Sequence, residues 1–158
     1  QVPAGRGTEG VMKLAHRQSA LIDVEYLMFS VGGTRLAAPV DRIVGVVSDL
    51  PEQADAFPGA TVHYRGREIP LLRGEEVFQV GACNGRRPAS ALIFRHGQKL
   101  FAVAVDDASD VLKLTPGDTL YRFPPEGDSW NSSGRPWGYV EMGDAPVFLV
   151  NLGPLRLH

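Results

Sequence analysis

Glycine and proline interrupt this chain so often that it has room for many short strands and almost none for long helices. Eighteen glycines and twelve prolines are spread through its 158 residues. Glycine supplies the positive φ values that tight turns need, while proline ends or kinks a helix. The apolar runs left between them have the length of strands. Glu25–Phe29 is mostly apolar and reaches Gly32-Gly33, after which Leu36–Val40 resumes the run; this predicts a hairpin with a loose glycine loop. Arg42–Val47 follows, and its Ile43, Val44, Val46 and Val47 suit a pleated, half-buried surface. Thr61–Tyr64 and Glu68–Leu72 flank Arg65-Gly66-Arg67, again strand, glycine turn, strand. Pro70 has no N–H to give, so its strand is expected to be an edge or to carry a bulge there. Arg73–Phe78 has the make-up of one or two helical turns.

The second half restarts the pattern. A loop over Gln79–Ala89 contains the turn dipeptide Asn84-Gly85. Ser90–Phe94 then leads into His96-Gly97, Lys99–Val105 returns, and Val111–Leu114 is a further short apolar stretch. Thr115 to Trp137, rich in Pro, Gly, Ser and Asn, reads as a long surface loop. The last strand is placed at Val147–Asn151, ended by Gly153-Pro154. The hairpins Glu25–Val40 and Ala91–Val105 share one shape, and each is followed by a β-branched segment. Two similar small barrels or sheets in one body are therefore expected. The one helix with near-helical apolar spacing is Val11–Ile22, on Val11, Leu14, Gln18, Leu21 and Ile22.

Several function classes are excluded by composition. The formal net charge is −2, from sixteen basic and eighteen acidic residues, so nothing favours nucleic acid through counterion release. Cys83 is the only cysteine, which rules out an intramolecular disulfide and points to a reducing, cytoplasmic home. Leu100–Val105 is the longest apolar run and is far too short to enter and cross a bilayer. Arg6, Glu9, Lys13, His16 and Arg17 leave no signal-peptide core in the first twenty residues.

Catalytic constellations are equally sparse. Asp106, Asp107 and Asp110 follow a strand, where acidic residues serve as solvated turns more often than as a hard-metal site. His16, His63, His96 and His158 show no metal-ligand spacing. Cys83 sits in a Gly-Asn loop without a base beside it, and no Gly-x-Ser-x-Gly elbow or phosphate-binding glycine loop occurs. Asn131-Ser-Ser formally matches a glycosylation acceptor, a chance match in a chain without a secretion signal. Trp130, Trp137 and Tyr139 are either a binding platform or aromatics that pin a loop to the core. The residues thus predict no enzyme, no metal and no cofactor.

Taken in order, the segments resemble the CheW-like family of bacterial chemotaxis coupling proteins. Tyr26-Leu-Met-Phe-Ser-Val-Gly-Gly-Thr-Arg-Leu-Ala-Ala-Pro-Val-Asp-Arg-Ile-Val is similar to that family's opening hairpin and third strand. Val62-His-Tyr-Arg-Gly-Arg-Glu-Ile-Pro-Leu-Leu resembles its central signature, and Phe101-Ala-Val-Ala-Val-Asp-Asp-Ala-Ser-Asp-Val-Leu-Lys-Leu its second-barrel strand. Val147-Phe-Leu-Val-Asn-Leu-Gly-Pro-Leu matches the closing strand in character. The likeness runs from about Tyr26 to Leu155.

The resemblance implies a mainly β fold: two small SH3-like five-stranded β-barrels packed on a shared core, with a few short helices. Residues 1–22 would form an N-terminal segment with a short helix, and residues 23–158 a CheW-like domain of two intertwined barrels. It implies a non-catalytic scaffold in signal transduction, joining a CheA-like chemosensory histidine kinase to methyl-accepting chemoreceptors. Such a scaffold would be cytoplasmic and recruited to membrane receptor arrays. The alternative is a CheW-like regulatory or ligand-sensing module outside chemotaxis, or a fragment of a larger signalling protein. By position, Arg65 and Gly66 fall at the family's receptor-facing arginine turn and Ile43 at an apolar contact strand. Val44 and Val46 complete the expected receptor- or kinase-binding set. Three positions depart from the family pattern: His63 stands where asparagine is usual, Gly45 where an acidic residue is common, and Arg73 where aspartate usually precedes the short helix.

Overall fold

The structure, a computed structural model, describes residues 16–48, 50, 59–80, 89–124, 136–143 and 145–151. Twelve strands lie among them. The first six are β1 (His16–Ser19), β2 (Val24–Val31), β3 (Thr34–Pro39), β4 (Ile43–Ser48), β5 (Thr61–Tyr64) and β6 (Arg67–Arg73). The others are β7 (Ser90–His96), β8 (Lys99–Val105), β9 (Asp107–Leu114), β10 (Thr119–Arg122), β11 (Gly138–Met142) and β12 (Ala145–Leu149). A 3-10 turn spans Val40–Arg42, and one short helix, α1, spans Gly74–Phe78.

Two sheets result, ordered β1-β10-β11-β12-β3-β2-β9 and β4-β7-β8-β6-β5. Both long hairpins stay intact, β2–β3 in the first sheet and β7–β8 in the second. The strand after each hairpin, however, crosses to the other sheet. β4 leaves the first hairpin and pairs with β7, and β9 leaves the second and pairs with β2. Parallel pairings, β12 on β3 and β6 on β8, close each unit.

Period-2 alternation explains how so much of the chain is buried on both faces. Along β7, Ala91 and Ile93 enter one core while Leu92 and Phe94 enter another. β8 divides the same way, with Ala102 and Ala104 on one side and Phe101, Val103 and Val105 on the other. In the first sheet Tyr26, Met28, Val147 and Leu149 fill a third cluster, while Phe29, Val31, Phe148 and Val150 join the middle one. Each sheet thus curls round its own interior, and a central layer of aromatic and branched side chains is shared between them. The mainly β fold with two SH3-like units on a common core is present, and its first sheet holds seven strands.

Three sequence expectations change. The helix over Val11–Ile22 is not formed where the structure describes it. His16–Ser19 is a strand against β10, with His16 opposite Arg122, and Leu21 and Ile22 are 87% and 67% exposed instead of lying on a buried helix face. Its residues 11–15 lie outside the described residues. The long loop from Thr115 to Trp137 contains β10, whose Leu120 is buried, and β11 is a strand that the apolar pattern had not suggested. The Gly32-Gly33 connection is tight, since Val31 pairs directly with Thr34. Cys83, the Asn84-Gly85 turn, Trp130, Asn131, Gly153-Pro154 and His158 lie outside the described residues.

Candidate functional site

The site begins with an irregularity in β4. Ile43 pairs with Phe94 and Gly45 with Ile93, so Val44 is one residue too many for its partner strand, a β-bulge. The bulge sends neighbouring apolar residues to different places. Ile43 packs against the central core, Val44 and Val47 pack against the interior of the second sheet, and Val46 remains 42% exposed. The exposed apolar patch expected on β4 therefore reduces to Val46 among its large side chains.

β4 and β5 are the two outermost strands of the five-stranded sheet. They meet through one side chain. Tyr64, at the end of β5, donates its hydroxyl to the Val44 carbonyl at 3.3 Å. Its ring occupies the space above Gly45. A Cβ at that position would overlap the Tyr64 hydroxyl oxygen and lie 2.9 Å from Cζ. The sheet thus curls until its edges touch, and the absence of a side chain at Gly45 is what lets them.

Past Tyr64 the chain turns at once. Tyr64 pairs with Arg67, so Arg65 and Gly66 form a two-residue hairpin loop. Their φ values are 51° and 76°. Two successive positive φ values characterise the type I′ turn, which fits the right-handed twist of the flanking strands and favours Asn-Gly. Arginine in the first position bears a steric cost that asparagine or glycine avoids. Strain of this kind clusters at functional positions. The Arg65 guanidinium carbon lies 5.3 Å from the centroid of the Tyr64 ring, a cation–π contact. The Arg65-Gly66 turn, Tyr64 and the Val44 carbonyl are thereby brought together; Val46 is exposed one residue past Gly45 on the same strand, and Ile43 is packed against the core.

Pro70 sits on this hairpin opposite Thr61, and β8 pairs with β6 only from Leu71 onward. The Leu71 N–H reaches the Ala60 carbonyl at 2.9 Å, so in the antiparallel alternation Pro70 falls at a non-hydrogen-bonded position. Its missing donor costs the ladder nothing, and the expected edge is a local one.

Three other candidate residues make structural contacts. Asp106 accepts the Gly33 N–H at 3.3 Å and so ties the first hairpin turn to the end of β8. Trp137 packs against two cores and lies under the Arg122 guanidinium at 5.1 Å; Tyr139 is buried and stacks on Tyr121 at 4.8 Å. Both aromatics pin the chain to the core. Among the described residues no three His, Cys, Asp or Glu side chains group as a metal site, and no helix is long and apolar enough to cross a membrane.

Residues 25–155 match the description of the CheW-like domain. The chain belongs to the CheW-like domain family. No curated protein matches the chain. Among solved structures it is similar to the scaffolding protein TtCheW from Thermoanaerobacter tengcongensis. That similarity has a TM-score of 0.63 at 15% identity and covers 85% of this chain and 88% of the other. At that coverage the likeness supports the CheW fold of two SH3-like units. Within that fold, the residues expected from sequence to bind a partner were Arg65, Gly66, Ile43, Val44 and Val46, and Tyr64, which meets the Val44 carbonyl, was not among them. The available signal was Gly45 itself, a side chain deleted in the middle of a β-branched strand.

Proposed function

We propose that this CheW-like protein is a non-catalytic scaffold that couples a CheA-like histidine kinase to the cytoplasmic tips of chemoreceptors. The reading draws first on family membership over residues 25–155, the family being one of scaffolds and adaptors. The single observation that carries its location is the convergence of the Arg65 turn and the β4 edge on Tyr64. An adaptor works through surfaces and needs no convergent polar cleft. A strained arginine turn against Tyr64 offers a charged anchor, and the exposed Val46 on the β4 edge offers an apolar contact. The charge supplies orientation and encounter rate, and the desolvated apolar contact supplies affinity.

The test is direct binding of a purified chemoreceptor cytoplasmic fragment and a CheA-like kinase, both from the source organism, to wild type and to Arg65→Glu. Binding of both partners by wild type, with the receptor arm weakened by the charge reversal, is the expected result. Binding of neither would remove the coupling role and favour a ligand-sensing module instead.

A further inference from the structure

We propose that Tyr64, seated over Gly45, is the positioning residue of this docking rim. Its role is to hold Arg65 against β4 before any partner arrives. The inference rests on the docking reading above and adds a residue which that reading does not require.

Four observations support it. Gly45 lies in a strand whose other central residues are β-branched, and a glycine there weakens the strand unless something approaches closely. What approaches is the Tyr64 ring, at distances no Cβ would tolerate. The hydroxyl at the far end of the ring also lies 3.3 Å from the Val44 carbonyl, a long and weak bond that adds a little to the seating. Arg65, one residue on and exposed, has its guanidinium carbon 5.3 Å from the centroid of that ring. A long arginine side chain loses much of its rotamer freedom when it is immobilised. A rim that has already restricted Arg65 leaves less of this cost to the moment of binding, which is how preorganisation raises affinity. Gly45 and Tyr64 thus form a matched pair: the missing side chain on β4 is the seat for the ring on β5.

The group that blocks a Cβ at Gly45 is the far end of the Tyr64 side chain, which can move. Gly45→Ala therefore displaces the ring more than it disturbs the sheet. Four variants test the proposal: Gly45→Ala, Tyr64→Leu, the double variant, and Tyr64→Phe, which keeps the ring. The first readout is the NMR shift of the Arg65 δ-methylene protons, moved upfield by a ring beneath them. The second is affinity for the chemoreceptor fragment. Gly45→Ala and Tyr64→Leu should each return the shift to its exposed value and weaken binding by about fivefold to tenfold. The double variant should be no weaker than either single one, because coupled residues are not additive. Tyr64→Phe should preserve the shift and most of the affinity. Additive losses, or full affinity after the ring is removed, would overturn the proposal. Arg65→Glu separates the two ideas. If it leaves affinity unchanged, the docking surface itself is refuted. If it weakens binding while Tyr64→Leu does not, only the positioning role falls.

Discussion

Leu92 and Ile93 are neighbours in β7, yet their side chains are buried in different cores, Leu92 in the layer shared by the two sheets and Ile93 inside the second sheet. Both are completely buried. Truncating either leaves a cavity that close-packed surroundings fill only in part. Ile93→Ala should lower stability by about 2–5 kcal/mol, and Leu92→Ala by a similar amount. Urea or thermal unfolding checks this, and wild-type stability in Ile93→Ala would contradict the placement of that side chain.

On the proposed docking role, Arg65 should separate stability from binding. Its φ of 51° suits asparagine better than arginine. Arg65→Asn should therefore raise stability by about 1 kcal/mol while weakening receptor binding. Calorimetry and a binding titration on the same preparation measure both effects. A loss of stability would mean that the Arg65 contact with Tyr64 outweighs the backbone strain.

Gly74 opens α1 against β8 with no room to spare. A Cβ there would run into the Ala104 carbonyl oxygen and lie 3.2 Å from both Val31 methyl groups. Ala104 is paired in β8 and cannot retreat, so Gly74→Ala should cost about 1–3 kcal/mol despite alanine's better helix propensity. A raised melting temperature would show that the helix can shift away from the sheet.

Tyr26 gives an alkaline limit. Burial, and secondarily the charge of Asp41, hold its phenol pKa above the ordinary value near 10. A raised folded-state value means that the native state keeps a proton which the unfolded chain gives up first. The stability associated with neutral Tyr26 is fully present below about pH 10 and is lost as pH rises from there through the folded value. Tyr139 is shifted in the same direction by burial, and then by Glu141 and Tyr121. Urea midpoints measured from pH 8 to pH 11 should fall at the alkaline end, and less steeply in Tyr26→Phe. Equal slopes in the two proteins would show that other groups set the limit.

The sequence made the local features readable and left the distant ones hidden. Hairpins such as Thr61–Tyr64 with Arg67–Arg73 announce themselves through apolar runs and a glycine turn, because their pairing is between neighbours. β1 carries His-Arg-Gln-Ser, which has no apolar face at all, and its strand character comes from β10 a hundred residues away. β10 and β11 were obscured by the surrounding glycines and prolines, although Leu120, Tyr139 and Val140 supply their buried positions. At the site, a turn arginine and a β-branched edge were visible. Their meeting was not, because Tyr64 reaches Gly45 only after the sheet has curled.

The exchange of β4 and β9 between hairpins has a consequence for how the molecule must fold. The strands of the second sheet come from both sides of the connection between Val80 and Ala89, and so do those of the first. Cutting that connection would split each barrel down the middle instead of releasing one of them. Neither fragment contains a complete set of neighbours, so each should stay unfolded alone and regain structure only in the other's company. The protein is in this sense a single cooperative unit written as two interleaved halves, and its native state waits for the last strands to be made before the first are secure.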